Sequence, residues 1–275
     1  MLAKANFIVL IIIIYFLFAA IRKSKKIQWK DVISFPPIYW ILCVVCSLYY
    51  ICIFAFMAVV VDYLKQRDTH GELPESSEGF DHKYSMISSI IYLVAIPCVP
   101  FFGRLIDHVG KRMIFLTISV FVMVPFNCYL VFSDYTEIPA LVIAGMSYSM
   151  VASCLWPSIC MVVREETVGT ANGIATSIQM IGIGISNLVV GVIKDKYSYD
   201  EVTYYFIACA SLGTILTILA NFMDARLLNG YLNNYSPFKE KSKKAAAAAA
   251  SSASASTANA PSEESPLIND HNSEN

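Results

Sequence analysis

From position 103 to 112 the chain reads Gly-Arg-Leu-Ile-Asp-His-Val-Gly-Lys-Arg, a tight charged turn between two apolar runs. Its one carboxylate, Asp107, sits among Arg104, His108, Lys111 and Arg112. The chemistry on offer is ion pairing: an anion at a narrow mouth can meet a cationic side chain or the positive N-terminal end of a neighbouring helix. Gly103 and Gly110 would let backbones approach closely. Such a group can serve as a conformational latch. The same charges also fit a plain topology anchor that keeps basic residues on one side of a membrane.

Other reactive chemistry is sparse. All eight cysteines (43, 46, 52, 98, 128, 154, 160 and 209) fall inside apolar runs. Cys43-x-x-Cys46 has redox or metal spacing, yet no Cys or His partner stands nearby, so the thiols read as small buried hydrophobes. There is no His/Glu metal cluster, no nucleophile beside a base, no phosphate-binding glycine loop and no dinucleotide fingerprint. The expectation is therefore no enzyme, no metal and no cofactor. Candidate contacts for a small molecule are the aromatic and hydroxyl groups near span centres: Tyr49, Tyr50, Tyr92, Tyr148, Ser149 and Trp156, with Pro157 able to unlock a helical turn. Each aromatic taken alone is more often packing than a ligand contact. No Asp, Glu, Lys or Arg lies in the middle of any span, so a proton-coupling carboxylate is not expected in this portion.

Helices in lipid must position these groups. The chain is 56% apolar and 15% charged, with a mean hydropathy of +0.57, well away from a soluble domain. Apolar runs at 5 to 21, 36 to 61, 84 to 103, 113 to 132, 137 to 161, 168 to 193 and 202 to 223 are each within reach of the roughly 20 residues a helix needs to cross a bilayer. The first also fits a signal peptide, but Arg22, Lys23, Lys25 and Lys26 follow it, the reverse of a signal peptide's charge order. If 22 to 35 is cytosolic, so are 104 to 112, 164 to 167 and the tail after 223, which hold most of the Lys and Arg. The positive-inside rule then puts Asn275 in the cytosol. Acids outnumber bases on the other face, which would concentrate cations, or which is simply solvated loop charge. A net charge of -1 gives no reason to expect nucleic acid.

The run from 168 carries two stripes. Gly173, Ser177, Gly184 and Gly191 form a ridge of small residues on which a helix can pack. Asn172, Thr176, Gln179, Ser186 and Asn187 form a polar stripe, with Thr176 and Gln179 the candidate cavity contacts. Interhelical hydrogen bonding explains that stripe as well as a water-filled path does.

The charged turn is similar to the G-x-x-x-D-x-x-G-[RK]-[RK] signature between neighbouring helices of the major facilitator superfamily of membrane transporters, departing from it at His108, where a base is commoner. More specific strings are Asp31-Val-Ile-Ser-Phe-Pro36, Ser147-Tyr148-Ser149, Leu155-Trp156-Pro157 and Val168-Gly-Thr-Ala-Asn-Gly173 followed by Ser177-Ile-Gln179. Over about 31 to 224 these resemble the lysosomal dipeptide uniporter branch. The resemblance implies an all-α integral membrane bundle of about seven transmembrane helices, made of the last helix of an N-terminal half and the six-helix C-terminal half. On that frame, 1–35 is a helix plus central cytosolic loop, 36–223 the transporter bundle and 224–275 a disordered cytosolic tail. A first half would then be absent, and the chain a fragment, a truncated isoform or an incomplete gene model. The resemblance makes Arg164 the partner expected for Asp107, completing a gate with Gly103, Gly110, Lys111 and Arg112. It further implies facilitated export of dipeptides, especially cationic ones, from lysosome lumen to cytosol, with a glycosylated lysosomal membrane protein as accessory subunit and lipid around the bundle.

Two tail features bear on that expectation. The one Asn-x-Ser/Thr sequon, Asn234-Tyr235-Ser236, falls on the expected cytosolic side and precedes Pro237, which would leave the lumenal loops bare of sugar. Glu263-Glu264-Ser265-Pro266-Leu267-Ile268, with Glu263, Leu267 and Ile268 as its key residues, resembles an acidic dileucine sorting signal. Other readings stay open: a superfamily transporter of sugars or organic anions, a non-transporting interaction fragment, or a seven-helix receptor, for which the usual Asp-Arg-Tyr and Asn-Pro-x-x-Tyr strings are missing.

Overall fold

The structure is a computed structural model that describes residues 32, 34–68, 78–133, 136–197 and 199–236. The apolar run at 5 to 21 and the sorting string at 263 to 268 lie outside the described residues. Within them, every regular element is helical: α1 (Pro37–Tyr50), a π-helical segment (Ile51–Ala55), α2 (Phe56–Asp68), α3 (Glu78–Ser88), α4 (Ile90–Val109), α5 (Arg112–Phe132), α6 (Ile138–Met161), a 3-10 turn (Glu165–Thr167), α7 (Val168–Lys196), α8 (Tyr199–Leu227) and the short α9 (Tyr231–Asn234). Six helical stretches are long and apolar enough to cross a membrane: Pro37–Leu64, Lys83–Val109, Arg112–Phe132, Ile138–Met161, Glu165–Lys196 and Asp200–Leu227.

The α1–π–α2 span is the most enclosed of the six, whereas the α4 and α7 spans turn most of their apolar surface outward. Neighbours follow the order α4, α6, α5, α8, α1, α7. Two parallel seams hold the bundle. Between α4 and α6, the Ser149 hydroxyl lies 3.4 Å from the Ala95 carbonyl and the Ser153 hydroxyl 3.3 Å from the Val99 carbonyl. One turn earlier, a Cβ on Gly145 would meet the Ile91 carbonyl oxygen at 2.7 Å, so only glycine permits this approach. Between α1 and α7, Tyr39 Oη–H donates to the Ala171 carbonyl at 2.8 Å, and a Cβ on Gly182 would run into the Ser47 hydroxyl.

Several expectations shift. Gly103 to Val109 are the last two turns of α4, because Gly110 ends the helix in the left-handed region (φ 83°) with its N–H on the Ile106 carbonyl at 2.7 Å. Only Gly110 and Lys111 form the turn between α4 and α5. The boundary expected at 223 falls inside α8, and the chain after Leu227 folds back as far as Ser236. The ridge Gly173, Gly184 and Gly191 faces no described neighbour; the close approach is at Gly182, on the opposite side of the helix.

Candidate functional site

Aromatic side chains from three spans meet at mid-bundle. Tyr50, the last residue of α1, and Phe54, inside the π segment, stack with centroids 5.5 Å apart and planes 13° apart. Four residues apart, they share one face by ordinary helical spacing, and the π segment that begins after Tyr50 preserves the pairing. Tyr148 of α6 meets Tyr50 edge-on at 6.0 Å and Tyr92 of α4 at 6.3 Å. Trp156, two turns along α6, donates its indole Nε1–H to the Tyr50 hydroxyl at 3.0 Å. Tyr92 is 37% exposed, Tyr148, Phe54 and Trp156 are half-buried, and Tyr50 is buried.

This patch has definite chemical capacities. Trp156 occupies an acceptor position on the Tyr50 oxygen, which leaves the Tyr50 O–H able to donate. The hydroxyls of Tyr92 and Tyr148 have no hydrogen-bond partner among the described residues. Ring faces attract a cation through their quadrupoles, and the hydroxyls can bond amide or carboxylate groups. A small, polar, partly cationic molecule matches that surface.

Other candidates from the sequence fall elsewhere. Tyr49 is core: its hydroxyl is 3.1 Å from the Ser147 hydroxyl, which donates to the Ser119 carbonyl at 2.8 Å, tying α1, α6 and α5 together. Ser149 is buried in the α4–α6 seam, bonded to the Gly145 carbonyl at 2.8 Å. Gln179 is buried against α1, with Cys46 Sγ 3.9 Å from its Oε1. Thr176 is exposed and bonds back to the Asn172 carbonyl at 2.8 Å. Phe54 is not among the expected residues, and its spacing of four from Tyr50 is the signal that could have found it.

At the elbow end, Arg112 Nη2–H donates to Asp107 Oδ1. Arg112 is buried at the start of α5 and Asp107 half-exposed in the last turn of α4. The ion pair expected between Asp107 and Arg164 is thus replaced by one inside the elbow, because the two-residue turn brings α5's first residue back against α4. Arg164 is exposed, one residue ahead of the 3-10 turn. Gly103 lies along α6, with Ser153 Oγ 4.0 Å from where its Cβ would be, and Lys111 is exposed.

The segment after α8 reaches this elbow. Asp224 is fully buried; its Oδ1 accepts the Leu232 N–H at 3.0 Å and its Oδ2 the Asn233 N–H at 3.3 Å. That anchors α9 and directs Ser236, whose hydroxyl donates to the Asp107 carbonyl at 2.6 Å and lies 3.4 Å from that of His108. At the opposite end of the bundle, Lys194 of α7 donates to Asp62 of α2 at 2.6 Å.

The Major Facilitator Superfamily model matches residues 5–185 and 42–249. The chain is 32% identical over 224 residues to the lysosomal dipeptide transporter MFSD1 of Bos taurus, covering 81% of this chain and 45% of that protein. It is 30% identical over 223 residues to the Homo sapiens protein of the same name, covering 81% and 46%. The chain therefore spans about half the length of the curated relatives it matches.

Proposed function

The chain belongs to the major facilitator superfamily and is a multi-pass membrane protein; from that premise we propose that it supplies the C-terminal bundle of a uniporter that carries dipeptides, cationic ones above all, from the lysosome lumen to the cytosol. The observation that carries the reading is the Tyr50–Phe54–Tyr92–Tyr148–Trp156 patch, which offers hydroxyls for peptide groups and ring faces for a charged side chain. Relatives named as lysosomal dipeptide transporters support the substrate class.

In this account the elbow of Gly103, Asp107, Gly110, Lys111 and Arg112 is the gate, with Arg164 at the same mouth and no longer Asp107's partner. It faces the cytosol together with the C-terminal tail. The Asp107–Arg112 pair keeps α4 and α5 closed on each other there while the far side opens. Residues 36 onward act as the bundle, Glu263, Leu267 and Ile268 direct the protein to the lysosomal membrane, and a glycosylated subunit shields the lumenal loops.

The test is binding and flux with lysyl-alanine as probe. Purified protein gains thermal stability with the dipeptide but not with free lysine and alanine, and Trp156→Ala removes the gain. Equal stabilisation by a hexose or an organic anion would favour another superfamily substrate. Since the chain matches about half of each relative, a second reading is a binding fragment without flux: co-purification with a glycosylated subunit and no transport would support it.

A further inference from the structure

Ser236 is the end of a strap that closes over the gate, and we propose that it is a phosphorylation site whose modification lifts the strap off the elbow. The strap is built for one seat. Asp224 fixes α9, Leu232 is fully buried, and the chain arrives with the Ser236 hydroxyl donating into the C-terminal carbonyls of α4, those of Asp107 and His108. The fit is tight on the facing side as well. A Cβ on Gly110 would stand 3.1 Å from Ser236 Cβ and 3.1 Å from the Tyr235 carbonyl oxygen.

The sequence around the hydroxyl supplies the second observation. Ser236-Pro237-Phe238-Lys239 sets proline directly after the serine and a base three residues on, the pattern that proline-directed protein kinases bind. In the reaction, Ser236 Oγ attacks the γ-phosphorus of ATP. The bond from that phosphorus to the bridging oxygen breaks, ADP leaves with the electron pair, and the hydroxyl proton passes to a kinase base. Ser236 is buried in its seat, so the kinase acts on the opened strap.

The product cannot return. The hydroxyl is a donor facing two carbonyl oxygens at the negative end of the α4 dipole, with the Asp107 carboxylate in the same turn. A phosphoserine brings about two negative charges and no donor worth the name at neutral pH. The cations of the elbow are engaged or exposed: Arg112 is paired with Asp107 through Nη2, and His108 and Lys111 are exposed. Phosphorylation therefore traps the open strap and frees the Asp107–Arg112 elbow to move.

This inference rests on the cytosolic placement of the tail, where ATP and kinases are found. The chemistry is tested apart from that placement. Purified full chain is treated with a cyclin-dependent kinase and ATP, the phosphosites are mapped, and chymotrypsin cleavage after Tyr231 and Tyr235 is timed. The expected result is phosphate on Ser236, absent in Ser236→Ala, and cleavage on the order of tenfold faster, since cutting tracks the open population. Phosphate confined to Ser265, or phosphate on Ser236 with unchanged cleavage, would overturn the proposal. In sealed lysosomes, label on Ser236 from kinase added outside supports the placement. Label only after permeabilisation would reject the placement and with it the regulatory role, while leaving the purified-protein result intact.

Discussion

Arg112 and Asp107 pair across a turn of only two residues, so the first side chain of α5 holds the last turn of α4. The cation is buried and the anion half-exposed, an asymmetry that sets how each behaves when removed. Asp107→Asn keeps an acceptor for the guanidinium but loses its charge, so the elbow persists as a weaker latch. Flux should fall about tenfold with the melting temperature shifted by only a few degrees, as read in reconstituted vesicles and by circular dichroism. Arg112→Ala should cost more stability, because it also empties a buried site.

Glycines separate packing from open surface. Gly145→Ala drives a methyl toward the Ile91 carbonyl and must part α4 from α6, destabilising by about 1–3 kcal/mol. Gly184→Ala meets nothing described and gains helix propensity of up to about 1 kcal/mol. Thermal melts of the two variants in one detergent check the contrast; equal shifts would contradict the seam.

Tyrosines one residue apart should part company in function. Tyr49→Phe breaks the link to Ser147 and costs about 1 kcal/mol of stability with little change in apparent dipeptide affinity. Tyr50→Phe removes the acceptor for Trp156 and a donor from the patch, so affinity should drop about fivefold to tenfold. Titration of each variant by thermal shift gives both quantities.

The tail signal is testable by location. With Leu267→Ala and Ile268→Ala together, the protein should leave lysosomes and collect at the cell surface in fluorescence images. Unchanged lysosomal staining would assign sorting to another segment.

The helical spans could be read from the apolar runs because lipid leaves few alternatives, and the ends of α5 and α6 come within a residue of expectation. Partner choices were less legible. The pattern of small residues at 173, 177, 184 and 191 describes one face of α7 but not which face the bundle takes, and close packing falls on Gly182. Arg164 is a reasonable cation by span order, yet a two-residue turn brings Arg112, the first residue of α5, onto Asp107. The aromatic patch is legible in large part: Tyr50, Tyr92, Tyr148 and Trp156 are candidates from the sequence, while Phe54, one helical turn after Tyr50, reads as one more apolar residue in an apolar run until the stack is seen. The strap escaped notice because its anchor, Asp224, looks like an ordinary acidic residue after an apolar run, and only burial exposes its role.

The central claim is export of dipeptides through this bundle. Lysosomes isolated from cells that produce the protein are loaded with labelled lysyl-alanine, and efflux is timed against lysosomes that lack it. The account predicts faster efflux with the protein present, slowed by Asp107→Asn and by Trp156→Ala; identical efflux with and without the protein would contradict it.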